Sequence, residues 1–170
     1  MIPISSDISS RLVWSKSPHK HGYELKRNGE MVGSLQRTSF WSSEFQAESV
    51  HRSWKLRRTG GFSTEIVDSN SDTRIAVINS HWSGGTLEFS DGRTYRLIYK
   101  GFFRPVWTVL TDSGQTVLSL DSREKTVELA KGLDLSEDRM ILLAIFAWHV
   151  MQQISEDAAL TGAVIAAAAS

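Results

Sequence analysis

The sequence predicts a mainly β protein: a closed antiparallel β-barrel of about twelve strands enclosing a hydrophobic C-terminal α-helix. Three observations predict it. Turn signals recur about every ten residues, at Asn28-Gly29, Gly60-Gly61, Ser69-Asn70-Ser71-Asp72, Gly84-Gly85, Asp91-Gly92, Gly101 and Ser113-Gly114, a spacing that suits many short strands. Between the turns apolar residues alternate, as in Trp54 and Leu56, or Tyr95, Leu97 and Tyr99, which places them on one face of a half-buried sheet. After Gly132 the alternation stops and a run without a polar face begins, Met140 to Trp148. That run must be surrounded on every side, and a barrel of a dozen strands leaves room for one axial helix, as a known can of about eleven strands does.

In chain order, strands are expected near residues 11–17, 22–28, 31–36, 44–49, 52–58, 62–68, 73–80, 85–90, 93–100, 105–111, 115–121 and 125–130. Aromatic and β-branched residues carry them, and Asn-Gly or Asp-Gly tips supply the positive φ of tight hairpins, so successive strands pair antiparallel. A helix is expected over 137–154: Ser136 caps it, Glu137 and Asp138 put negative charge in its first turn, and Leu135 staples onto Met140. The stretch Ala158 to Ala169 is again apolar, but Gln152-Gln153 and Ser155-Glu156-Asp157 precede it, so it is expected as a separate tail. Twelve helical residues reach roughly 18 Å against a hydrocarbon layer of roughly 30 Å, so no transmembrane span is expected. The expected organisation is a flexible N-terminus over 1–10, a barrel with its central helix over 11–154 and an apolar tail over 155–170.

Composition narrows the chemistry. The 170 residues contain no cysteine, which excludes disulfides, thiolate zinc sites, iron–sulfur clusters and a cysteine nucleophile, and favours the cytoplasm. Residues 1–10 carry no secretory leader pattern. Nineteen basic and nineteen acidic side chains cancel, yet residues 11–60 sum to +6 and residues 111–170 to −5. Such asymmetry marks an anion-binding face or a pairing of the two regions within the fold.

The order Tyr23-Glu24-Leu25-Lys26-Arg27 to Gly29-Glu30, Trp54-Lys55-Leu56-Arg57-Arg58, Asp91-Gly92-Arg93-Thr94-Tyr95, Trp107-Thr108-Val109 to Gly114, then the apolar run ending Phe146-Ala147-Trp148, resembles the tubby C-terminal-domain-like superfamily. That group includes phospholipid scramblases, LURP-one-related proteins and small prokaryotic members. The resemblance covers residues 11–154 and implies binding rather than catalysis, at phosphoinositide head groups or membranes. The chain departs from the scramblase pattern in having no cysteine cluster and no acidic calcium loop. The tubby head-group pocket has no residue-by-residue match, and no site is carried over.

Catalytic motifs are missing: there is no Gly-x-Ser-x-Gly, no His-Glu-x-x-His, no phosphate loop and no dinucleotide fingerprint. No enzyme, cofactor or metal is expected. Asp68-x-Asn70-x-Asp72 starts like a calcium loop but has Thr73 at the glycine position and Asn79 at the glutamate position, so it reads as a polar hairpin tip. His19-x-His21 has no third ligand nearby. His149 is expected neutral and hydrogen-bonded, and Trp14, Trp54, Trp82, Trp107 and Trp148 are expected to pack barrel against helix.

The candidate ligand-binding residues are Lys55, Arg57, Arg96 and Lys100, which alternation turns outward and which are expected on neighbouring strands. Phe102, Phe103 and Arg104 form a candidate membrane contact, two aromatics beside a cation. The expected function is a non-catalytic binding module for anionic lipid head groups or a membrane surface, in the cytoplasm or at the membrane periphery. The alternative is a protein-interaction or structural module using strand edges or the apolar tail. Zero net charge argues against nucleic acid.

Overall fold

The computed structural model describes residues 11–18, 21–39, 42–100 and 106–169, with the backbone alone at 100 and 160–169. Twelve strands run in chain order: β1 (Arg11–Lys16), β2 (Gly22–Arg27), β3 (Glu30–Arg37), β4 (Phe45–Ser49), β5 (Ser53–Gly60), β6 (Ser63–Asp68), β7 (Arg74–His81), β8 (Gly84–Phe89), β9 (Thr94–Lys100), β10 (Val106–Thr111), β11 (Thr116–Asp121) and β12 (Thr126–Leu129). Each pairs antiparallel with its neighbours in sequence, and β1 pairs with β12 through Leu12 opposite Val127, which closes the barrel. Closure leaves no free sheet edge, so the strand-edge docking expected of the alternative reading has no edge to use. Single-residue register shifts in the β2–β3, β5–β6, β6–β7 and β10–β11 pairs mark bulges that help the sheet curl.

The hairpins are built as the sequence reads. Asn28 and Gly29 have φ of 52° and 82°, the left-handed pair that a two-residue β2–β3 turn requires. Asp68 accepts hydrogen bonds from the backbone of Asn70 and Ser71, so the calcium-like stretch is a self-capped tip between β6 and β7. Those contacts, the Ser71 N–H foremost, hold the Asp68 carboxyl below its ordinary pKa.

The helix α1 (Glu137–Ala169) occupies the barrel axis. Every residue from Ile141 to Met151 is buried, and these side chains form one core with Leu12, Leu25, Leu56, Ile66, Leu87 and their inward neighbours around the wall. Trp148 stacks on Trp14 with centroids 5.1 Å apart and takes the Tyr23 ring edge-on at 5.0 Å. Burying each large side chain contributes about 1.5–3 kcal/mol, so this helix and its sleeve stabilise one another. On β3, a Cβ on Gly33 would lie 2.8 Å from Ile141 Cγ2; glycine is what lets the helix pass there.

The helix enters at a base and leaves at a mouth. At the base Ser136 caps it by accepting the Arg139 N–H at 3.2 Å. Arg27 reaches Glu137 at 2.9 Å, and Arg139 reaches Asp91 at 2.9 Å while lying over the Phe89 ring. At the mouth the Tyr23 hydroxyl donates to Gln152 and the Ser80 hydroxyl to Gln153. The helix does not stop at 154 as expected. Ser155 to Ala159 are all exposed, so the acidic residues stand in solvent beyond the barrel and need not end the helix, and alanine, the strongest helix former, carries the backbone on to Ala169. No helix of the described residues is long and apolar enough to cross a membrane.

Candidate functional site

Alternation turns Lys55 and Arg57 outward from β5, since Trp54 and Leu56 are buried, and turns Arg96 outward from β9 between buried Tyr95 and Leu97. The structure does not put these cations on neighbouring strands. In the barrel β6, β7 and β8 lie between β5 and β9, and four strand spacings of about 4.8 Å amount to roughly 19 Å of wall. Antiparallel hairpins in series order the strands strictly by sequence, so residues forty positions apart are carried round the circumference. Arg57 is also engaged, 3.1 Å from Glu44 and 3.6 Å from Asp72. Lys100 closes β9, with its side chain outside the described set, and Phe102, Phe103 and Arg104 lie outside the described residues, as does His19.

Trp82 is a correction of another kind. It is 87% exposed rather than packed against the helix. The turn after β7 falls on Trp82-Ser83, two residues before the Gly84-Gly85 expected to make it, so Trp82 caps a hairpin tip instead of facing inward. Phe62, 66% exposed, occupies the equivalent tip between β5 and β6. The two tips are neighbours, for the Phe62 carbonyl accepts the Ser80 N–H at 2.8 Å. Both belong to the mouth, because strand direction alternates and Ser80 also holds Gln153 of the departing helix. Exposed Lys16, Arg58 and Lys125 stand at that end as well.

Inside the mouth a cavity of about 230 Å³ lies between the helix and the β1–β4 side of the wall. His149 forms its depth, Leu35, Phe45 and Tyr23 its apolar wall, and Lys16 and Arg37 its cationic lip. His149 is 2% exposed, and its ring meets Phe45 edge-on at 4.9 Å. Burial, reinforced by the positive charges of Arg58 and Arg37, lowers its pKa from 6.5 to about 4, so the imidazole is neutral as expected. The expected hydrogen bond is missing at Nε2, which has no partner among the described residues. The Arg37 side chain lies 3.9 Å from Glu156 and 5.3 Å from the Phe45 centroid, both weak contacts.

The mouth residues were only partly legible beforehand. Arg37 and Lys16 sit at strand ends among many similar cations, and nothing local distinguishes them. Position two residues before a Gly-Gly pair was the available signal for Trp82. Comparison with known protein families, with characterised proteins and with solved structures finds no match for this chain.

Proposed function

We propose that the protein is a non-catalytic binding module that docks mouth-first on an anionic lipid surface. The observation carrying this is the juxtaposition of Phe62 and Trp82, exposed on neighbouring tips, with the end of the barrel from which the helix emerges. Aromatic rings with nearby cations suit the boundary between head groups and acyl chains. Lys16, Arg58 and Lys125 would each add about 1 kcal/mol near an anionic leaflet. The uncharged helical stretch 158–169, roughly 18 Å long, reaches into a layer of roughly 30 Å without crossing it. The resemblance to tubby-like proteins supports the same class of function.

Sedimentation with vesicles tests this reading. Wild-type protein is expected to pellet with anionic but not neutral vesicles, with binding that fades at high salt. Phe62→Ser/Trp82→Ser and a chain lacking 158–170 should each lose binding, whereas Lys55→Glu/Arg57→Glu on the wall should retain it. Loss only in the wall variant would move the contact to β5. Absence of binding throughout would remove the lipid reading in favour of a protein partner for the helix beyond Ile154, whose residues 155–159 are exposed, the feature that carries that second reading.

A further inference from the structure

The cavity beside His149 has the make-up of a small-molecule site; it opens at the mouth and shares Lys16 with the proposed lipid contact. At about 230 Å³ it is smaller than the roughly 300–1,000 Å³ of drug-sized pockets and suits a compact metabolite. His149 lines it with a side chain that is 2% exposed, and the Nε2 of that ring has no hydrogen-bond partner among the described residues. A buried ring nitrogen without a hydrogen bond costs about 1–3 kcal/mol, a cost that a ligand atom placed there would remove. An alkyl chain in that position would leave the cost standing. Between depth and lip the walls are Leu35 and Phe45, which suit an apolar or aromatic body.

The lip fixes the charge. Lys16 and Arg37 are cationic there and Glu156 is anionic, so these three leave one net positive charge, a match for a monoanion rather than for a phosphate dianion. Arg37 can turn its guanidinium fork to a carboxylate, because its 3.9 Å approach to exposed Glu156 is too long to be a hydrogen bond. We propose that this cavity binds a small carboxylate with an apolar, ring-sized body and a hydrogen-bonding group at its far end, the carboxylate on Arg37 and Lys16 and the far group on His149 Nε2.

The probe is 4-hydroxybenzoate, which has those three parts in a line, titrated into the full chain and followed by the backbone amide resonances of Gln152 and Gln153 and by calorimetry. Saturable one-to-one binding is expected. Benzoate should bind more weakly for want of the far hydroxyl, and phenol and inorganic phosphate should bind more weakly still. Arg37→Gln, at the surface and so harmless to folding, should weaken 4-hydroxybenzoate roughly ten- to a hundredfold, the loss of one charge-assisted hydrogen bond. His149→Phe, which keeps the ring's shape, should erase the preference for 4-hydroxybenzoate over benzoate while leaving benzoate bound. Absence of saturable binding, equal affinity for phenol, tighter binding of phosphate, or an unchanged affinity in Arg37→Gln would each overturn the proposal. None of these results depends on whether the protein pellets with vesicles.

Discussion

His149 shows how one residue links burial to pH. Its native pKa of about 4, against an ordinary 6.5, means that the unfolded chain takes up a proton in a range where the native barrel does not. The resulting stabilisation is fully present above pH 6.5 and declines as the pH falls towards 4, by at most about 1.4 kcal/mol per pH unit. Denaturant titrations of wild type and His149→Phe should therefore diverge between about pH 7 and pH 4.5, with the wild type losing about 2–3 kcal/mol more. Parallel curves would mean that the imidazole is protonated or solvated in the native state. The neutrality of His149 was legible from its place in an apolar run; its missing hydrogen bond was not, because that depends on what the opposite wall offers. Phe45 and Leu35 come from strands about a hundred residues away in sequence, and neither can accept or donate.

At the scale of elements, Gly33 on β3 lies close against Ile141 of the helix, where an added Cβ would stand 2.8 Å from Cγ2. Gly33→Ala should cost about 1–3 kcal/mol through the added methyl, and Ile141→Leu, which removes the β-branch at nearly constant volume, less than about 1.5 kcal/mol. The double variant should be less destabilised than the sum of the two, which a double-mutant cycle on unfolding free energies reads directly. Strict additivity would place the helix farther from β3. Beyond Ile154 the helix leaves the barrel, and a chain ending there should melt within about 0.5 kcal/mol of wild type while losing helical circular dichroism. The strands were legible to within a residue or two because period-two burial is a local pattern with a turn at each end. The helix end was misplaced because charged residues terminate a buried helix but not one standing in water.

At the scale of the whole molecule, a barrel of in-sequence hairpins converts distance along the chain into angle around the wall. This is why Lys55 and Arg57 face a different direction from Arg96, and why the tips at Phe62 and Trp82 share one end with the departing helix. The end where those tips and the axial helix converge, rather than the side of the wall, is therefore the place for a contact. The vesicle and carboxylate experiments address the rim and the interior of that end respectively.

Alternation, glycine turns and one helix without a polar face determined the strand number, the antiparallel pairing and the enclosed helix, because each is a local consequence of which side chains must leave water. Only the tertiary structure decided which cations are neighbours, which tryptophan faces solvent and what lies opposite His149. Those depend on closure through β1 and β12 and on the rotation of the helix within the wall, quantities set by packing across the whole circumference and by no single stretch of sequence.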